Sequence, residues 1–229
     1  MKDSNIILEL MKESLRDNNL SRKTALKDLQ QIEEGDPFKI LIATILSARS
    51  RDEETRRVVK DLFAKFRDIE EFSRADLSDI RKLVHSIGFY NIKALRIKQV
   101  VQVLIDRFNG KVPSNMQDLI SLPGVGRKTA NCVLVYAFKK PAIPVDVHVH
   151  RISNRLGIVN TNKTEETELM LYKIFAKRSW SVVNDTFVSF GQNICVPINP
   201  KCNICKLTKI CKFYKNSSAR YLSSSEIRE

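Results

Sequence analysis

Four of the five cysteines in this chain, Cys195, Cys202, Cys205 and Cys211, follow one another in the pattern C-x6-C-x2-C-x5-C. All four fall inside one 17-residue window, so a single short loop carries them. The start of the chain, Met1 to Leu10, carries acids and asparagine rather than a basic stretch followed by a greasy one, so no secretory signal is expected. The longest apolar run, Ile40 to Leu46 with Thr44 inside it, falls well short of the roughly 18 residues of a membrane span. In the intracellular chain that these features imply, clustered cysteines point to metal rather than to disulfides. Four thiolates satisfy either a zinc ion or a [4Fe–4S] cluster. Zinc ribbons usually separate two C-x2-C pairs by a longer spacer, and this loop has one such pair, so the spacing leans away from zinc while leaving both open. Cys132 lies far upstream in an apolar helical pattern and reads as a packing residue.

Elsewhere the apolar residues recur at helical spacing. Ile6, Ile7, Leu10, Met11 and Leu15 predict a helix over residues 5–18. Asp36-Pro37, an N-cap followed by a first-turn proline, opens a helix through Leu46 that is apolar nearly all round and therefore central. Val58, Val59, Leu62, Phe63 and Phe66 form the inner face of the next. A helix near Leu77 to Ile87 is expected to end with Gly88 at its C′ position. Phe89-Tyr90-Asn91 then makes a turn before a helix faced by Ile97, Val101, Leu104, Ile105 and Phe108, which Asn109-Gly110 stops. Pro113-Ser114 starts a short helix, and two more lie near 164–177 and 181–193. No fixed-period repeat and no strand pair is evident, so the fold class is all-α with short connections. No Ser/Gly-rich linker divides the chain, so two lobes would have to be built from interleaved segments.

The net charge of +13 favours a polyanionic partner, because unpaired Lys and Arg bind phosphates. Leu122-Pro123-Gly124-Val125-Gly126 joins two helices in a tight hairpin. Glycines there let the backbone approach a ligand, and the N–H groups opening the second helix donate to a phosphate without reading a base. The alternative is a plain packing corner. Lys128 falls in the first turn of that helix, where the dipole and Arg127 disfavour its ammonium form and lower its pKa. Such a lysine is a usable amine nucleophile, with phosphate contact as the other open role. Asp146 reads as a helix cap, and it bears on Lys128 only if the fold brings the two together. Phe89 and Tyr90 are either a wedge for parting base steps or ordinary core. His148 and His150, two residues apart on a helix, do not share a face, so no second metal site is expected.

Taken together, the chain resembles the endonuclease III family of DNA glycosylases, helix-hairpin-helix proteins with an iron–sulfur loop. The resemblance is carried by Pro37-Phe38 with Leu46-Ser47-Ala48, by Ile87 through Ala94, by Leu122 through Asn131, by Val145 through Arg151 and by the four cysteines. These motifs run in the family's order over about residues 30 to 211. The resemblance implies a two-lobed all-α helix-hairpin-helix glycosylase fold with DNA in the cleft. Its six-helix domain would span 29–138, and 1–28 plus 139–229 would form a second helical domain with the cluster loop at 195–211. It further implies Lys128 as Schiff-base nucleophile, Asp146 as its assistant, and a structural [4Fe–4S] cluster on Cys195, Cys202, Cys205 and Cys211. DNA contacts are expected at Arg49, Phe89, Tyr90, Gly124, Gly126, Arg127, Thr129 and His148. The implied reaction removes an oxidised pyrimidine from a flipped nucleotide of double-stranded DNA and then cleaves the abasic site by β-elimination. The enzyme is expected to be a DNA-associated intracellular monomer.

At one position the chain departs from the pattern. Many bacterial members carry, after Ser47-Ala48, a glutamine that fills the space left by the flipped base, and this chain has Arg49. Lesion and opposite-base preference therefore stay open. Two rivals remain at this stage: a monofunctional mismatch glycosylase, whose relatives carry tyrosine or serine where Lys128 stands, and a non-enzymatic iron–sulfur DNA-binding protein.

Overall fold

The computed structural model describes residues 4–20 and 35–216, so the domain boundary expected at 28/29 lies outside the described residues. Among the described residues the regular structure is helical throughout. The α-helices are α1 Ser4–Asp17, α2 Pro37–Ser47, α3 Asp52–Lys65, α4 Ile69–Arg74, α5 Leu77–Val84, α6 Tyr90–Phe108, α7 Met116–Ile120, α8 Arg127–Tyr136, α9 Val147–Leu156, α10 Thr164–Ile174 and α11 Trp180–Asn193. Short 3-10 turns occupy Lys177–Ser179, Cys202–Ile204 and Thr208–Ile210. None of the described helices is long and apolar enough to cross a membrane. The chain divides into two compact units, one within Thr24–Pro144 and the other joining Met1–Lys23 to Val145–Glu229.

In the Thr24–Pro144 unit, α2 is the central helix. Asp36 Oδ1 accepts from the Phe38 and Lys39 amides at 2.8 and 3.1 Å, and Pro37 opens the first turn, where its missing N–H costs nothing. Every residue from Ile40 to Leu46 is buried, as an all-round apolar helix requires. Helices α3, α6 and α8 pack around it. Phe38, Phe63 and Phe66 surround Phe72 with ring centroids 5.3 to 5.5 Å away, which locks α4 onto the ends of α2 and α3. Lys98 of α6 donates from Nζ to the Ser73 and Ala75 carbonyls at 2.7 and 2.9 Å, a cation on the C-terminal end of α4.

Two expected helix ends lie elsewhere. Helix α5 stops at Val84, earlier than Ile87, and Gly88 is not its left-handed terminator. The left-handed residue is Phe89, with φ +60°, at the entry to α6. Gly88 answers a different demand, because a Cβ there would stand 3.3 Å from the Arg49 carbonyl oxygen. The short helix expected at Pro113-Ser114 begins later, at Met116, where Asn115 Oδ1 caps the Asp118 amide at 2.9 Å.

The second unit is assembled from both ends of the chain. Ile7, Leu8, Met11 and Leu15 of α1 are buried, and α1 packs on α11. Helix α11 also takes the apolar face of α9, formed by Val149, Ile152 and Leu156. Gly191 permits the close approach: a Cβ there would stand 2.7 Å from His148 Nδ1 and 2.9 Å from Ile152 Cδ1. The cysteine loop is fastened to α1, where Ser14 Oγ accepts from the Lys206 amide at 3.0 Å and Lys206 Nζ pairs with Asp17 at 2.6 Å.

Candidate functional site

Helices α7 and α8 pack together through the turn between them. Leu122 and Val125 point into the core, and the turn closes with the Val125 amide donating to the Leu122 carbonyl at 3.1 Å. Gly124 is needed for its backbone, at φ +75°, a conformation L side chains rarely adopt. Gly126, at φ −94°, is not needed on that ground, and a Cβ there would meet nothing within 4 Å. Gly126 is the N-cap of α8 and brings no side chain to the helix start, the end whose backbone amides and dipole favour an anion. Arg127, Lys128 and Thr129, all partly buried, form the first turn.

A second constellation in the same unit joins the segment after α2 to the entry of α6. Phe89 is 59% exposed and Tyr90 37%, so these aromatics are not core. The Arg49 guanidinium lies 5.7 Å from the centre of the Phe89 ring, within cation–π range. Arg49 also has a left-handed backbone, with φ +54°. Lys93, one turn into α6, is buried and donates from Nζ to the Leu46 carbonyl at 2.8 Å and to Ser50 Oγ at 2.7 Å. Lys93 falls inside the Ile87–Ala94 motif, which gives it no role of its own. The available signal was its register, since it shares the apolar face of Ile97, Val101 and Leu104.

In the other unit Asp146 is the N-cap of α9, and its Oδ1 accepts from the His148 and Val149 amides at 2.9 and 3.0 Å. His148 Nδ1 accepts from Arg151 Nη2 at 3.2 Å, and the same guanidinium nitrogen donates to the Gly191 and Cys195 carbonyls at 3.1 and 2.9 Å. His150 instead faces α10, with Nδ1 2.7 Å from Thr167 Oγ1. The two histidines thus serve different neighbours.

Cys195, Cys202, Cys205 and Cys211 all line one small pocket, walled on its apolar side by Ile152, Leu156, Phe190 and Ile194. Among the described residues no three metal-ligating side chains converge on a point where a single ion would sit. Arg155 borders the cavity, donating from Nη1 to Cys195 Sγ at 3.5 Å and to the Val196 carbonyl at 2.7 Å. Its guanidinium also sits 4.7 Å from the Phe213 ring centre. Burial, followed by the neighbouring Cys195, Cys202 and Cys211, pushes the Cys205 thiol up to about 11. Burial raises Cys202 as well. Four soft donors around one apolar-walled space match the donor set of an iron–sulfur cluster, whose positive irons remove the penalty on the thiolates. Arg155 and Arg151 carry no thiol or imidazole signature, so ligand-spacing arguments do not find them.

A helical hairpin ending in a glycine N-cap, on a scaffold that is all-α among the described residues, fits a helix-hairpin-helix protein. The family description "HhH-GPD superfamily base excision DNA repair protein" matches residues 42–177. Endonuclease III of Thermotoga maritima is 45% identical over 196 residues, spanning 86% of this chain and 92% of that protein. A solved non-covalent endonuclease III–DNA complex superposes with a TM-score of 0.81 at 34% identity, covering 96% of this chain and all of that one. A trapped endonuclease III–DNA covalent intermediate gives the same score and identity over 95% of this chain and 100% of its own. The chain belongs to the endonuclease III family of base excision DNA glycosylases.

Proposed function

We propose that this chain is a bifunctional enzyme that removes oxidised pyrimidines from duplex DNA and then cleaves the abasic site as a lyase, with Lys128 as the nucleophile. The observation that carries this reading is the placement of Lys128 as the second residue of α8, directly after an uncapped glycine turn at the positive end of the helix. The dipole there favours a phosphate beside the turn and disfavours a protonated amine. The neutral Nζ attacks C1′ of the flipped nucleotide, the N-glycosidic bond breaks, and the base leaves with the bonding pair. Loss of a proton from nitrogen leaves an N-glycosylamine; the nitrogen lone pair then expels O4′ as the C1′–O4′ bond breaks, O4′ takes a proton, and the opened sugar is held as the protonated imine. Removal of a C2′ proton then drives out the 3′ phosphate as the C3′–O bond breaks, leaving the enzyme bound until water hydrolyses the imine.

Asp146 is assigned to assist Lys128, and its two amide donors fix the carboxylate's orientation while it does so. Gly124, Gly126, Arg127 and Thr129 are assigned to the phosphate backbone, where amides and a guanidinium position DNA without reading bases. Phe89 and Tyr90 are assigned as the wedge, in keeping with their exposure, and Arg49 to the gap left by the flipped base. His148, beside Asp146, is assigned a DNA contact. Cys195, Cys202, Cys205 and Cys211 would hold a [4Fe–4S] cluster, which supplies cross-linking of the loop rather than chemistry on DNA. The two compact units are read as the two lobes of the glycosylase, acting as a monomer on DNA carrying damaged bases or abasic sites.

Borohydride trapping on abasic-site duplex tests the central step, because reduction of the imine leaves a covalent protein–DNA adduct. Wild type is expected to give the adduct and Lys128→Ala none. A wild type that gives no adduct would falsify the lyase assignment, and base release without trapping would identify a monofunctional glycosylase.

A further inference from the structure

Lys93 is 3% exposed, and its ammonium reaches across from α6 to two acceptors that bracket a single short segment. Leu46, whose carbonyl takes one bond at 2.8 Å, ends the buried run of α2, and Ser50, whose Oγ takes the other at 2.7 Å, lies on the far side of Arg49. Between the brackets Arg49 holds a φ of +54°, and across from it Phe89 holds +60°. Non-glycine residues keep such conformations only where their surroundings over-determine them. Two surroundings do so here. The Arg49 carbonyl is packed so near Gly88 that a Cβ would approach it to 3.3 Å, and the Arg49 guanidinium rests on the Phe89 ring at 5.7 Å. The 46–50 segment and the entry of α6 are thus one rigid piece, and Lys93 is the strut inside it.

Packing alone does not explain this choice of residue. Burying an amine between neutral acceptors is costly, and burial lowers the Lys93 pKa to about 8. An unbranched apolar side chain would fill the same space without that penalty. A lysine here is suited to holding the loop in place at some expense of stability.

We propose that Lys93 is a positioning residue for opposite-base recognition: it holds the 46–50 loop so that Arg49, braced on Phe89, is presented to the base facing the flipped nucleotide. This rests on the glycosylase reading above. Buried and bonded to Leu46 and Ser50, Lys93 acts on selectivity through Arg49 and not on the bond-breaking step.

The test measures single-turnover release of thymine glycol from duplexes carrying A, G, C or T opposite the lesion. Wild type is compared with Lys93→Met, Ser50→Ala, Arg49→Ala and the Lys93→Met/Arg49→Ala double variant, alongside thermal melts. Wild type is expected to discriminate among the four opposite bases. Lys93→Met and Ser50→Ala are each expected to compress that discrimination, Lys93→Met by roughly tenfold, the scale of coupling between contacting residues. The double variant is expected to compress it no further than Arg49→Ala, and Lys93→Met to melt no lower than wild type. Borohydride trapping of Lys93→Met on a single-stranded abasic oligonucleotide, which has no opposite base, is expected to match wild type. Single-residue variants that keep the wild-type discrimination overturn the proposal, as do additive losses in the double variant or a wild type indifferent to the opposite base. If Lys93→Met does not fold, Ser50→Ala, at a partly exposed hydroxyl, decides between the same two outcomes. A wild type that neither releases base nor traps an adduct removes the glycosylase reading itself, an outcome recognisable because no variant is involved.

Discussion

Asp146 Oδ1 accepts from two amides at the start of α9, and the same carboxylate is assigned to assist Lys128. The two roles are separable because asparagine caps a helix about as well as aspartate and carries no charge. Asp146→Asn is therefore expected to melt within about 0.5 kcal/mol of wild type while losing about 10²- to 10⁴-fold in single-turnover base release. Asp146→Ala is expected to lose activity and also about 1 kcal/mol of stability. An Asp146→Asn protein with wild-type turnover would restrict Asp146 to the cap. Cap residues of this sort are legible in sequence because a cap is a local event, as at Asp36 and Asp146. Lys93 was not, because its acceptors, Leu46 and Ser50, lie more than forty positions away. A lysine in apolar register marks an oddity without saying what it holds.

At the scale of elements, a glycine at a helix end or inside a helix can answer to a distant segment rather than to its own turn. Gly88 looks like a helix terminator, but the left-handed residue is its neighbour Phe89, and a Cβ at Gly88 would crowd a carbonyl from another segment. Gly191 is the same case inside a helix. Nothing local calls for it in the interior of α11, where glycine is unfavourable to helix formation. Its reason is α9, since a Cβ would press within 2.7 Å of His148 Nδ1, 2.9 Å of Ile152 Cδ1 and 3.1 Å of Arg151 Nη2. Gly191→Ala is expected to destabilise the protein by about 1–3 kcal/mol despite its better helix propensity. It should also weaken DNA binding if His148 is displaced. Denaturant unfolding with a DNA titration checks both, and a variant as stable as wild type would mean that α9 and α11 can separate at little cost.

Across the whole molecule, α1 and the cysteine loop depend on each other although the chain places them at opposite ends. Lys206 follows directly after Cys205 and is bonded to α1 at both its amide and its ammonium. A cluster bound at 195–211 would thereby also anchor α1. Cys205→Ser is expected to lower soluble yield and bound iron together, read by iron analysis and visible absorbance, and to raise protease sensitivity in α1. A colourless, zinc-loaded wild type with full activity would refute the iron–sulfur assignment. The same mutual support explains why no composition break divides the sequence into domains, since the units are interleaved along the chain.

Some of this was determined by the sequence alone. Helical periodicity and caps are set by residues within one or two turns of each other, so the all-α class, the central place of α2 and the hairpin before Lys128 were readable directly. The cysteine spacing likewise marked out the loop whose four thiols line one pocket, because shared ligation would restrict the gaps between donors. Tertiary structure decided whatever depends on residues far apart in the chain: the exposure of Phe89 and Tyr90, the Arg49–Phe89 brace, the Lys93 strut, the need for Gly191 and the union of α1 with the cysteine loop. Those contacts form only when distant segments share a surface, and no pattern along a single chain records which surfaces will meet.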